Sequence, residues 1–202
     1  MAMLGFVVDD DLRAAVVCAL LRDDPKIPLK DLRVGCLIFV ELRPKDEVSA
    51  RKCLVGIETL LRREGNQDAQ ELALATICNL GRHDHVHANT GSSRFIDGIF
   101  RILQSGDQSS RITRKALLAL RRVVYAMPEL ACSHAASIVD FLFGFIQPQD
   151  TGVTLGLGVC LSALGLASSL VDACVAQGGA LCPQLSFLLE PTLAVLRRLG
   201  SP

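Results

Sequence analysis

Three observations predict an all-α protein. Half of the 202 residues are hydrophobic but only 4% are aromatic, with one tyrosine and no tryptophan. That Leu/Ala/Val composition belongs to packed helices rather than to sheets. Apolar residues recur at helical spacing along nearly the whole chain, and brief polar, Gly or Pro punctuation separates the stretches. The length is enough for a sizeable core, read as one domain over residues 1–202.

The elements follow in order. "DDDLRAAVVCALLRDD" opens on acids that suit a helix N-terminus, and Pro25 and Pro28 punctuate its end. "PLKDLRVGCLIFVELRP" runs to Pro44, and "DEVSARKCLVGIETLLRREG" is stopped by Gly65. "NQDAQELALATICNLG" has Asn66 as its cap and Gly81 behind it. The series continues through "SSRFIDGIFRILQSG", "QSSRITRKALLALRRVVYAMP", "PELACSHAASIVDFLFGFIQP", a charge-free run, and "PQLSFLLEPTLAVLRRLG".

The charge-free run, Thr151 to Val171 between Asp150 and Asp172, is long enough to cross a bilayer. Aspartates flank it on both sides, and no Lys/Arg cluster or Trp/Tyr belt marks a membrane boundary. Gly152, Gly156, Gly158 and Gly165 suit close helix packing in lipid or in protein alike. The expectation is a buried helix. The alternative is a membrane-associated helical protein anchored by 151–171.

Lys+Arg and Asp+Glu both number 21, so no global field draws the chain to nucleic acid or to an anionic membrane. The charges are unevenly spread: from residue 151 onward only Asp172, Glu190, Arg197 and Arg198 occur. None of the eight cysteines forms a C-x-x-C pair, and most lie in apolar helical stretches. They read as reduced core thiols of a cytoplasmic or nuclear protein. The start "MAMLGFVVDDD" has a short apolar run, no basic lead and three aspartates, unlike a signal peptide.

A repeat is present. "GCLIFVEL" ending at Leu42, "ATICNL" at Leu80, "LLALRRV" at Val123 and "VCLSAL" at Leu164 are separated by 38, 43 and 41 residues. Polar turns ending at Asp107 and Asp150 are likewise 43 apart. Within that frame, Ala73 to Leu120 resembles one armadillo repeat and the start of the next. The residues that carry the likeness are Asn79 with Leu80, Asn89, Gly91, the Ile99 to Leu103 stretch and Ser105 to Asp107. "GSSRFIDGIF" departs from the family's usual Gly-Ala-Ile-Pro phrase, and a HEAT-like array is the close alternative. The resemblance implies a right-handed α-solenoid of armadillo/HEAT-like helical repeats, about four to five of them. The residues read equally as a whole protein or as part of a longer array.

Chemistry is sparse. "RHDHVH" sets His83, His85 and His87 at alternate positions, the only grouping with metal-ligand character. No Glu-x-x-His or distant Cys/His pair completes a site, so solvated loop histidines are expected, and a metal-binding enzyme is the lesser alternative. There is no G-x-S-x-G, no P-loop and no dinucleotide fingerprint in a βαβ context. No catalytic residue and no cofactor are assigned.

"RITRKALLALRR" is the most informative surface. On a helical wheel Arg111, Arg114, Lys115, Arg121 and Arg122 fall within an arc of about 120° around Leu118. A solvated face explains such a run without any partner, but the repeat register adds to it. Arg122 stands where Asn79 stands one repeat earlier, and Arg111 where Asp68 does. The armadillo resemblance implies that the helix carrying that asparagine lines a concave groove, with the amide on a bound partner's backbone. Guanidinium groups there bind carboxylates bidentately. The register continues as Gly152, Gly156, Val159 and Ala163, all small or apolar. The expected function is a non-catalytic scaffold or adaptor, with a role as a subunit of a larger complex left open. Its partner would be an acidic, partly hydrophobic segment or helix, held by Asn79, Arg111, Arg114, Lys115, Leu118, Arg122, Gly156, Val159 and Ala163.

Overall fold

The structure is a computed structural model. It describes residues 10–21, 24, 26–41, 47–63, 65–80, 94–105, 110–126, 128–146 and 157–178. The regular structure among the described residues is all α-helix, with no strand. In chain order the helices are α1 (Asp10–Leu20), α2 (Leu29–Glu41), α3 (Glu47–Arg62), α4 (Gln67–Leu80) and α5 (Arg94–Gln104). There follow α6 (Ser110–Ala126), α7 (Pro128–Ser133), α8 (Ala135–Ile146) and α9 (Leu157–Ala176). The chain divides into two compact units, one up to Gly98 and one from Ile99, so the division falls inside α5.

Local signals account for the helix ends. The Asn66 side chain accepts a hydrogen bond from the Ala69 N–H at 3.0 Å, which caps α4 as its position predicts. Gly65 has φ +73°, the left-handed conformation that lets the chain leave α3 and turn straight into that cap. Ahead of α2, the Asp24 carboxylate accepts from the Lys26 N–H at 2.9 Å, forming an Asx turn. Arg63 clamps the same turn from the end of α3, donating to the Asp24 carbonyl at 3.0 Å.

In the first unit α1 packs on α2 and α3, and α4 packs on the same two helices. Ile57, Leu60 and Leu61 of α3, each no more than 1% exposed, form an i, i+3, i+4 stripe into this core. Each such side chain contributes about 1.5–3 kcal/mol by leaving water. The end of α1 is wedged between two glycines: Gly35 of α2 and Gly56 of α3 both lie against Leu20 or Leu21. Cys36 of α2 is buried, with Thr76 of α4 as its hydrogen-bond partner, and burial pushes its thiol above the ordinary value despite that bond. It is an inert core thiol, as expected of a cysteine in an apolar helix.

In the second unit α9 packs on α6, α7 and α8, and α7 bridges α6 and α8. Phe100 of α5 meets Phe141 of α8 edge-on, with ring centroids 5.8 Å apart. The stretch from Pro128 to Ile146, a single segment in the sequence, is two helices. His134 forms the turn between them, its N–H bonded to Ala131 and its carbonyl accepting from Ile138. Histidine is a weak cap, so the break carries no strong sequence signal.

Within the charge-free run the described helix covers Leu157 onward, and it continues past Asp172 to a turn at Gly178, φ +64°. Its span Gly158–Ala176 is long and apolar enough to cross a membrane. Its buried stripe, including Leu166 and Leu170 at 0% exposure, is covered by neighbouring helices. Its outer stripe is Leu161, Ser168, Asp172 and Val175. That cover by neighbouring helices favours the packed-helix reading. The expected histidine loop at His83, His85 and His87, and the helix expected over 183–200, lie outside the described residues.

Candidate partner-binding surface

Helix α6 forms because seventeen residues contain neither glycine nor proline and are rich in Ala, Leu, Arg and Lys. Ile112, Ala116, Leu117, Leu120, Val123 and Val124 bury one side of it. The opposite side carries five cations and no acid. Arg111, Arg114 and Arg121 are exposed, while Lys115, Leu118 and Arg122 are half-buried along the same face. The arc read from the sequence is therefore the solvent side of α6.

Leu118 and Tyr125, two turns apart, form an apolar seam along the middle of that face. Arg114 and Arg121 border the seam on one side, Lys115 and Arg122 on the other. Tyr125 is 72% exposed, an unusual position for the chain's only tyrosine. The Arg122 guanidinium lies over its ring, 5.5 Å from the centroid, a cation–π contact. The Arg122 Nε is buried and has no hydrogen-bond partner among the described residues, which leaves part of its desolvation cost uncompensated.

Beside the Arg114/Arg121 border runs a line of small residues on α9: Gly158, Gly165 and Ser169. Arg121 donates from Nε to the Ser169 hydroxyl at 3.0 Å. Arg114 lies along Gly158, where an added Cβ would sit 3.6 Å from its Cδ and Nη1. The serine hydroxyls are turned back on their own helix, Ser162 to the Gly158 carbonyl and Ser169 to the Gly165 carbonyl. Glycines that read as close-packing residues are thus the floor over which two arginine side chains extend.

This geometry predicts a mild outcome at Gly165. An added Cβ would approach Arg121 Nη1 at 2.9 Å, but that atom is the far end of a flexible chain and can swing away. Gly165→Ala gains about 1 kcal/mol of helix propensity and loses a surface hydrogen bond of similar size. Stability within about 0.5 kcal/mol of the parent is expected in urea denaturation. A loss of several kcal/mol would mean that Arg121 is locked in place.

The other expected positions are distributed as follows. Asn79 is exposed near the end of α4, its Nδ2 donating to the Ala75 carbonyl at 2.9 Å. It belongs to the first unit and the α6 face to the second. Val159 and Ala163 present no surface: they are 3% and 0% exposed. Their repeat register is shared with Leu118 and Arg122, but α9 turns that side toward the core. Gly156 lies outside the described residues. Arg121 and Tyr125 were not singled out as contact positions, since their importance comes from α9 and from the Arg122 contact, neither visible in local spacing. Among the described residues no group of three or more His, Cys, Asp or Glu is placed to hold a metal ion.

No protein-family model matches the chain, and no curated protein matches it. Among solved structures, the crystal structure of an engineered protein from the Northeast Structural Genomics Consortium is similar, with a TM-score of 0.56 and 14% identity. The match covers 93% of this chain and 79% of that one. At such identity the likeness extends to the fold alone.

Proposed function

We propose that the chain is a non-catalytic protein-interaction scaffold. In this reading its helices are armadillo/HEAT-like repeats of a right-handed α-solenoid, and the α6 face holds an acidic, partly hydrophobic segment of a protein partner. Two packing patterns support the repeat reading. In the first unit α1 pairs with α2 and α3 with α4, while α1 packs on α3 and α2 on α4, as two stacked two-helix repeats do. In the second, the short α7 followed by α8 and α9 matches a three-helix repeat.

The observation that carries the functional reading is the charge of α6. Arg111, Arg114 and Lys115 crowd its first two turns, with no acid in the first turn to offset them. Cations at a helix N-terminus oppose the macrodipole, each by about 0.3–1 kcal/mol. Arg122 adds a buried unpartnered Nε. Arg121 and Arg122 recover some of this through Ser169 and Tyr125, but the concentration of like charge is a local conflict of the kind a functional surface tolerates. A carboxylate-bearing partner relieves the repulsion, and Leu118 with Tyr125 offers it an apolar anchor. A cytoplasmic or nuclear setting suits the reduced thiols.

Asn79 gives the test within the first unit. One of its amide N–H groups donates to Ala75, which leaves the second N–H and the Oδ1 acceptor to offer to a partner backbone. Asn79→Ala is expected to weaken a bound peptide by about 1 kcal/mol while shifting stability by less than about 0.5 kcal/mol. Titration calorimetry beside urea denaturation separates the two. Unchanged affinity would remove Asn79 from the site.

A further inference from the structure

Cys132, in the last turn of the six-residue helix α7, points at Cys174 near the end of α9. Their sulfur atoms lie 3.6 Å apart, in van der Waals contact, across 42 residues of sequence. Cys174 is 5% exposed, whereas Cys132 is half-buried and so open to a small oxidant from solvent. Two thiols in contact, one accessible and one sheltered behind it, have the arrangement of an attacking sulfur and its resolving partner.

We infer that Cys132 and Cys174 are a reversible disulfide site, closed by hydrogen peroxide and reopened by a dithiol. The chemistry balances without any further component. The Cys132 thiolate attacks one peroxide oxygen, hydroxide leaves, and the sulfur becomes a sulfenic acid. The Cys174 sulfur attacks that sulfur, the S–S bond forms, and the sulfenic oxygen departs as water. Two thiols lose two electrons and two protons, and one peroxide becomes two waters.

Closure has a specific mechanical consequence. A helix of six residues has no stability of its own and depends on packing for its existence. The bond ties α7 covalently to α9, the helix on which α6, α7 and α8 all pack. It also closes a long loop, the case in which a cross-link restricts the unfolded chain most. Cys36 supplies an internal contrast: it is fully packed, 2% exposed, and holds its proton.

The test treats the reduced, full-length chain with a modest excess of hydrogen peroxide under native conditions, alkylates remaining thiols, and maps peptides without reduction. The expected result is a single species lighter by two hydrogens, with the Cys132 and Cys174 peptides joined. Its melting temperature should rise by several degrees, and dithiothreitol should reverse both changes. Cys132→Ser, at the half-exposed position, should abolish the shift without disturbing the core. Both thiols still alkylatable after peroxide, Cys132 driven to sulfinic acid with no linkage, or cross-links only between chains would each overturn the assignment. The mapping on the unsubstituted chain decides the matter even if the variant folds poorly.

Discussion

Replacing Gly56 with alanine lowers the unfolding free energy by about 2–3 kcal/mol, the larger of two opposed effects. Gly56 lies in the interior of α3, where alanine would ordinarily stabilise a helix by about 1 kcal/mol. Here the added Cβ meets the carbonyl oxygen of Leu21, with the Leu21 Cβ at 2.6 Å and its carbonyl carbon at 2.9 Å. Those are backbone-fixed atoms, and no rotamer change moves them. Either α1 backs away from α3 and opens the core around Leu21 and Ile57, both at most 2% exposed, or the clash stays. Overpacking of this kind costs about 1–3 kcal/mol and more where backbone must shift. The melting temperature should fall by roughly 5–10 °C for a chain of this size. Thermal unfolding followed by circular dichroism checks it. A melting point at or above the parent's would show that α1 and α3 tolerate a wider separation.

Reversing both Arg114 and Arg121 to glutamate is expected to weaken an acidic partner by about thirtyfold or more, some 2 kcal/mol. Each substitution removes an attraction and installs a repulsion, and like-charge contacts across an interface are the costlier half. Both side chains are exposed, so the fold should hold: stability shifts of about 0.5 kcal/mol per site are the norm for such positions. Arg121 also gives up its bond to Ser169, a surface contact of small value. The salt dependence should shrink in the variant, because screening acts on the exposed charges that have been reversed. Calorimetric titration at two ionic strengths, paired with urea denaturation, measures all three quantities. Equal affinity at low salt would take these arginines out of the interface.

The contrast between Gly56 and Gly165 shows where sequence reading runs out. Both are helical glycines, and local pattern treats them alike. One faces a neighbouring backbone and the other a flexible arginine tip, a distinction made by tertiary packing. Local features were more legible. Asn66 caps α4 and Gly65 turns left-handed after α3, because those roles depend on a few adjacent residues. The exposed side of α6 was legible for the same reason, a wheel needing only its own helix. Register carried less well between the segments aligned in the sequence. Val159 and Ala163 share a repeat position with Leu118 and Arg122, but α9 has apolar residues nearly all round, so its neighbours decide which side is covered. The break at His134 had no strong cap to announce it.

The proposal that α6 is a docking face for an acidic partner is tested most directly by selecting binders from a displayed random-peptide library. The whole chain and its Arg114→Glu/Arg121→Glu variant serve as parallel baits. The expected result is enrichment, by the unsubstituted chain alone, of peptides that set Asp or Glu beside a bulky apolar anchor. Binding of those peptides should weaken as salt rises. Peptides recovered equally well by the variant, or no acidic enrichment at all from a folded bait, would contradict it.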